Sequence, residues 1–585
     1  MKLTEEQRAA VEHCGNVVIT ACPGSGKTRT IIAKILKCVD EIRDTPRKIA
    51  CITYTNTAVY EIENRVSQNQ GGVEEGICEV STIHSFCQSN ILTPYYWKTE
   101  DYKEGFTILT SDSDQFNEIA TEIIEEFGLD NSSFTLDSFG GLHRNPDGSP
   151  GTSGNVTTEA ALAFWNRIKK DGLIDFGNII YQSYLILSQN PSLVENLSCR
   201  FAYLLVDEFQ DTTALQVEIL KFISSENRTD FFLVGDREQS IFSFAGAQSG
   251  LMEEFAEFIS AEKFPILGNF RSTKPLVEVA ERLIEREPPM RSVTVSESLP
   301  FSFTYQHTEN PFVAITDFLL PYLEENDIPL GDAAILAPNW YILNALGRKL
   351  REYGVPIVGP GARPYKRSYA LGRIAEQVCG YLETGTANFL RQTEKELALI
   401  ANQSNRGAMF RLFSYEGQRI VQRLMFEGRK IQSEHEGGRE WLRKAAESFE
   451  RILLEERILA ENQRGQVMES AELMLKEMEQ AKVDLNNLNL SDLGMFADPR
   501  KNIKLMTMHT AKGREFPAVA IVGLIDGQVP YHNYYNSLTK EGIEEGRRLF
   551  YVSLTRAEKA LMVFSNDHVK GLPPSRYLNE LGVID

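Results

Sequence analysis

The stretch Ala21-Cys-Pro-Gly-Ser-Gly-Lys-Thr28 follows the apolar run "NVVIT" and leads into the amphipathic run "RTIIAKILKCVDEI". Gly24 and Gly26 let the backbone turn its N–H groups toward phosphate oxygens, and Ala21, Cys22, Pro23 and Ser25 complete the turn. Lys27 would neutralise β/γ-phosphate charge and Thr28 would ligate Mg²⁺, while the helix that follows adds its positive N-terminal end. Ala21 stands where a glycine is usual, at a position that only starts the turn. The partner of such a loop is an apolar strand ending in an acid, and "FAYLLVDEFQDT" supplies one. Asp207 would hold Mg²⁺ and Glu208 would polarise the attacking water as general base. Adjacent carboxylates on a strand point to opposite faces, so one buried and one solvated acid is the bland alternative. Loop and acids together imply hydrolysis of ATP or GTP.

The elements that must carry these residues are legible as alternating patterns. Thr4 and Gln7, three apart in "LTEEQRAAVEHC", have the spacing of a helix capping box. The runs "NVVIT", "KIACITYT", "FAYLLVDE" and "DFFLVGD" alternate with helical patterns, which predicts a parallel α/β sheet with ligands at the strand carboxyl ends. Polar, partly helical sequence interrupts this rhythm from about 90 to 175, and charged helical sequence interrupts it again from about 370 to 495. Strand patterns return at "DAAILAPN", "NIKLMTMHT", "PAVAIVGL" and "ALMVFSND". At 585 residues the chain exceeds one core, and two α/β domains, each with a mainly helical insertion, are expected.

A net charge of −20 argues against nucleic-acid binding over the whole surface but leaves room for a local basic groove. Eight cysteines without a CxxC pair predict free thiols and no metal cluster. No run approaches the roughly 18 apolar residues of a membrane span, and "MKLTEEQRAA" lacks the apolar core of a signal peptide. The expected setting is the cytoplasm, with no membrane partner.

The segments "VDEFQDT", "VGDREQSIFSFAGA", "NFRST", "MTMHTAKGREF" and "RRLFYVSLTRA", with "EEQRAAV", "ITYTNTA" and "TIHSFC", occur in the order found in superfamily 1A DNA helicases of the UvrD/Rep/PcrA type. The resemblance spans Gln7 to about Ala560. It implies two RecA-like domains in a 1A/1B/2A/2B arrangement: 1–90 with 175–270 as 1A, 91–174 as 1B, 271–370 with 496–585 as 2A, and 371–495 as 2B. It implies ATP with Mg²⁺: Gln7 at adenine, where the capping box is the competing reading, Arg29 and Phe270 sandwiching the base, and Glu515 at the ribose. Arg271 and Arg556 would reach the transferring phosphoryl group from the second domain, as arginine fingers do. Gln239 would sense the γ-phosphate, with Asp236 shaping its loop. On single-stranded and partly duplex DNA, Tyr54, Phe242 and Phe244 would stack on bases, and Thr55, Asn56, His84 and His509 would contact the backbone. Core packing is the ordinary alternative for such phenylalanines.

The pattern is also broken. Phe242 and Phe244 replace a frequent Tyr and Trp, Ala245 replaces a frequent Arg, Pro338 stands where Arg is common, and Arg514 replaces an apolar residue. These changes bear on DNA affinity more than on ATP chemistry. The second insertion is short for the family, resembling the helicase-like subunit of Gabija-type anti-phage systems, which works beside a separate nuclease. The leading expectation is a 3′→5′ single-strand DNA translocase and helicase. The alternative is an ATP- and DNA-sensing regulatory subunit that controls a partner nuclease.

Overall fold

Val, Ile, Leu and Phe runs bounded by polar residues become the strands of two parallel sheets. The computed structural model describes residues 3–69, 76–111, 113–130, 133–151, 156–243, 246–248, 250–294, 302–366, 370–403, 414–435, 437–496, 499–532, 538–567 and 571–584. They pack as two compact units. The first comprises Met1–Ser298, Asn533–Thr555 and Glu580–Gly582, and the second Leu299–His532, Arg556–Asn579 and Val583–Asp585.

The sheet of the first unit contains β1 (Val17–Ala21), β2 (Lys48–Thr53), β3 (Cys78–Thr82), β4 (Phe201–Val206), β5 (Asp230–Gly235) and β6 (Glu262–Ile266) in the order β6-β1-β5-β4-β2-β3. Every pairing is parallel. Parallel strands covered on both faces must be apolar nearly throughout, and β5 is buried from Phe231 to Gly235. Helix α1 (Glu5–Glu12) opens with the expected capping box, Gln7 N donating to Thr4 Oγ1 at 3.2 Å and Thr4 N to Gln7 Oε1 at 3.1 Å. Helix α2 (Lys27–Ile42) starts directly after Gly26 and buries Ile31, Ile35, Cys38 and Ile42 at helical spacing against the sheet. Helix α3 (Asn56–Asn69) follows β2. Between β3 and β4 lies a mainly helical insertion with its own core around Phe116, Phe164 and Trp165. There Trp165 Nε1 donates to buried Asp175 at 2.8 Å.

The second sheet contains β7 (Phe303–Thr308), β8 (Ala333–Ala337), β9 (Ile357–Val358), β10 (Ile503–Thr507), β11 (Phe516–Ile521) and β12 (Ala557–Asn566), ordered β7-β12-β11-β8-β10-β9 and again parallel throughout. Its helical insertion runs between β9 and β10, from helix Ala370–Thr384 to helix Leu490–Gly494, around Trp441, Phe449 and Met474. The expected pair of parallel α/β domains with helical insertions is what these residues form. By packing, Arg271, helix α4 (Lys274–Leu283) and helix α5 (Lys540–Leu554) belong with the first sheet, whereas the sequence reading starts the second domain at 271. No helix among the described residues is long and apolar enough to cross a membrane.

The order β1-β5-β4 sets three carboxyl ends side by side, and the loops that leave them carry Lys27, Asp236 and the Asp207–Glu208 pair. Leu205, fully buried in β4, supports the last of these. Leu205→Ala is expected to cost about 2–5 kcal/mol, read as a lower urea midpoint for the first unfolding transition.

Candidate active site

The phosphate loop is built where β1 gives way to α2. Gly24 and Gly26 take φ values of +66° and +78°, a left-handed backbone that side chains disfavour. A Cβ on Gly24 would stand 2.6 Å from Asn269 Oδ1 and 2.7 Å from the Arg271 Cβ, because Phe270 N donates to Gly24 O at 2.8 Å and lays residues 269–271 across the loop. Gln7 closes the other side. It is fully buried and its Nε2 donates to Ser25 O at 2.9 Å, so both ends of its amide are engaged within the protein, one on the loop and one in the cap. The Ser25 hydroxyl is buried with no hydrogen-bond partner among the described residues, as a group waiting for a ligand acceptor would be. Cys22 is inert: burial, then the charge of Asp236, pushes its thiol up to about 12.

Asp207 and Glu208 do not follow strand alternation, because β4 ends at Val206. Glu208 takes φ +50°, costly for a non-glycine residue and typical of reactive positions. That turn lets Lys27 Nζ reach Glu208 Oε2 at 3.1 Å. Gln210 Nε2 donates to the same oxygen at 2.5 Å, and Gln210 Oε1 accepts from Asp236 N at 2.9 Å. Burial acts to lower the Lys27 pKa, but the carboxylates of Glu208, Asp236 and Asp207 outweigh it and hold the ammonium charged. Burial first, and the Glu208 charge second, push the Asp207 carboxyl well up. Negative charge is thus crowded where a further cation would relieve it. No cluster of three or more His, Cys, Asp or Glu able to hold a metal occurs among the described residues. Magnesium keeps waters and takes substrate oxygens, needing only one or two protein ligands, so Asp207 with Thr28 fits it.

Asp236 accepts from Gln239 Nε2 at 2.6 Å and from Arg286 at 2.5 Å. Arg29 stands 5.9 Å from the Phe270 ring centroid, which brings together the two groups expected at adenine. Arg271 N donates to Asn269 Oδ1 at 2.8 Å and its guanidinium to Thr555 O at 3.0 Å. In the second unit, Arg556 is buried and donates to Arg514 O at 3.3 Å, and Glu515 is exposed just before β11. Four residues near the site escaped the sequence reading as contributors. Gln210, Asn269 and Tyr551 lie inside the quoted motifs, while Arg286 lies in none.

Tyr54, leaving β2, stacks on Phe242 with ring centroids 5.0 Å apart and planes at 22°. Tyr54 also lines a cleft of about 560 Å³ with Thr55, His84, Arg144 and Phe176. Thr55 Oγ1 accepts from Ala58 N at 3.2 Å, capping the first turn of α3. His84 meets the Phe176 ring edge-on at 5.7 Å. Burial pushes the imidazoles of His84 and, with Lys512 adding to it, His509 down to about 4. Both are neutral hydrogen-bonding groups at physiological pH. His509 belongs to the second unit, and Phe244 and the Asn56 side chain lie outside the described residues.

Gly24→Ala is expected to weaken binding of a fluorescent ATP analogue by at least about tenfold, since the added methyl meets Asn269 and Arg271 in a backbone that disfavours it; unchanged affinity would show that the loop is not the binding surface. A group held below its usual pKa takes up its proton only as pH falls through the lowered value. In ¹⁵N-histidine NMR spectra, His84 and His509 should therefore keep neutral-ring shifts down to about pH 5, and a midpoint near 6.5 for either would contradict its burial.

Residues 3–260 match the UvrD/REP helicase N-terminal domain and residues 388–568 the UvrD-like helicase C-terminal domain. The chain is 26% identical to the ATP-dependent DNA helicase PcrA of Staphylococcus aureus over 647 aligned positions, which cover 99% of this chain and 86% of that protein. It is also 26% identical to the ATP-dependent DNA helicase Rep of Salmonella typhimurium, over 96% of this chain and 90% of that protein. Two parallel-sheet domains, a glycine loop facing paired acids, and family matches in both halves agree: the chain belongs to the UvrD/Rep/PcrA-like superfamily 1A DNA helicases, ATP-dependent enzymes that move on and unwind DNA.

Proposed function

We propose that this chain hydrolyses ATP at the carboxyl ends of β1, β5 and β4 and uses the energy to move 3′→5′ along single-stranded DNA, separating duplexes ahead of it. The observation that carries the reading is the Lys27–Glu208 contact at 3.1 Å, inside a glycine loop and beside buried Asp207. Lys27 is one cation with two uses. When triphosphate enters, Lys27 exchanges Glu208 for phosphate oxygens, and the released carboxylate becomes available as base. Glu208 then takes a proton from water as the water oxygen bonds to the γ-phosphorus. The bond from that phosphorus to the bridging oxygen breaks, leaving ADP and phosphate. Mg²⁺, held by Thr28 and Asp207, would neutralise charge on the β- and γ-oxygens.

In this reading the backbone of Ala21 to Gly26 cradles phosphate. Gln7, Arg29 and Phe270 receive adenine, Glu515 the ribose, and Gln239 reports the γ-phosphate. Arg271 and Arg556 offset charge on the transferring group, a contribution that reaches about 10³–10⁵ in rate where such arginines act. The stacked Tyr54–Phe242 pair supports a base platform, the family resemblance assigns Phe244 a stacking role as well, and Thr55, Asn56, His84 and His509 bind the strand backbone by hydrogen bonds. The 3′→5′ sense follows the family resemblance. An anti-phage role would require a partner nuclease, and family membership carries no such requirement.

Glu208→Gln should bind ATP as the parent does and lower hydrolysis by about 10²–10⁴-fold; hydrolysis at the parental rate would remove Glu208 as base. The same preparation of the parent should unwind duplexes with a 3′ tail and not those with a 5′ tail. Vigorous ATPase with no unwinding by the chain alone would favour the regulatory subunit instead.

A further inference from the structure

The loop from Asp236 to Phe242 joins the two halves of the proposed function, since its first residue holds Gln239 and its last stacks on Tyr54. The residue that does most to fix this loop, Arg286, lies in none of the motifs. Arg286, just past α4, is largely enclosed, its side chain 10% exposed, and spreads its guanidinium over three segments. It donates to Asp236 Oδ1 at 2.5 Å, to Ala21 O at 3.3 Å, and to the Tyr551 hydroxyl at 2.9 Å. Ala21 ends β1, Asp236 follows β5, and Tyr551 is a fully buried residue of α5. Arg548, one turn earlier on α5, donates to Ser240 O at 2.8 Å. The loop is therefore tied to α5 at two points, through Asp236–Arg286–Tyr551 and through Ser240–Arg548. The C-terminal end of α5 is held in turn, because the Thr555 carbonyl accepts from Arg271.

A planar guanidinium with five N–H donors can serve three acceptors in fixed directions, which a lysine ammonium on a flexible stem cannot. Burial keeps the Tyr551 phenol neutral, so its oxygen is a plain acceptor for Arg286. Neither Arg286 nor Tyr551 is needed to hold phosphate in the proposed mechanism. Their contacts go to the backbone that begins the phosphate loop and to the carboxylate that aims Gln239.

We propose that Arg286 and Tyr551 are positioning residues that lock the Asp236–Phe242 loop to α5, so that a strand bound at Tyr54–Phe242 raises hydrolysis at Glu208. This rests on the reading above of both sites. Binding of a strand at Phe242 can reach Gln239 only if the segment between them moves as one piece, and the two ties to α5 give it a rigid rail. Without the Arg286 tie, the loop would take up the strand while leaving Gln239 where it was.

The test uses the full chain as Tyr551→Phe, which removes only the accepting oxygen, together with Arg286→Lys and the double variant. Affinity for a fluorescent ATP analogue, affinity for oligo(dT), and ATPase with and without oligo(dT) are measured for each. The expected result is parental affinity for both ligands, with the stimulation of kcat by oligo(dT) reduced about tenfold or more. The double variant should be no worse than the worse single one, because both break one tie. Parental stimulation in Tyr551→Phe overturns the proposal. So does a parallel loss of nucleotide affinity and of basal and stimulated rates, which would mark a merely structural role. A parent that hydrolyses ATP without any response to oligo(dT) overturns the proposed function itself, and this inference with it.

Discussion

The ammonium of Lys27 sits among the carboxylates of Glu208, Asp236 and Asp207, largely enclosed at the meeting point of three strand ends. An isolated ammonium enclosed in this way would cost several kcal/mol, and so would the buried carboxylate of Asp207 beside the partly buried one of Glu208. Each makes the other tolerable, and the balance still leaves Asp207 pushed toward protonation. The cluster holds more carboxylate than Lys27 alone offsets, which is the electrostatic condition for receiving a divalent cation together with the phosphates it accompanies. The parallel order β1-β5-β4 is the reason these groups meet at all, since they are up to 209 residues apart between Lys27 and Asp236 in the chain.

Strain and rigidity are placed accordingly. Glu208 and the two loop glycines occupy left-handed backbone, held by close neighbours rather than by local preference. Asn269 is one such neighbour: its Oδ1 accepts from the amides of Arg271 and Ser272 and occupies the space a side chain at position 24 would need. Gln210 is another, linking Glu208 to the backbone of Asp236 through one side chain. Asn269 touches no reacting atom, and Gln210 touches the carboxylate assigned as base. They fix where the reacting atoms are, and a shift of an ångström at the base is enough to matter for catalysis.

Much of this was readable from residue types. The glycine loop, the apolar strands and their acid ends have strong local signatures, and the two sheets with helical insertions followed from alternation alone. Other points were underdetermined. Whether Asp207 and Glu208 share a face could not be decided from strand periodicity, because the answer depends on the strand stopping at Val206. Gln7 admitted two readings, and the structure shows its amide serving the cap and the loop at once. Arg286 gave no signal: its three partners come from residues 21, 236 and 551, and no spacing rule reaches across such separations.

The most direct measurement is a structure determined with a non-hydrolysable ATP analogue and Mg²⁺. The account predicts the γ-phosphate beside Lys27, with the ammonium withdrawn from Glu208 and the metal between Thr28 and Asp207. A nucleotide bound elsewhere, or one bound while Lys27 remains on Glu208, would contradict it.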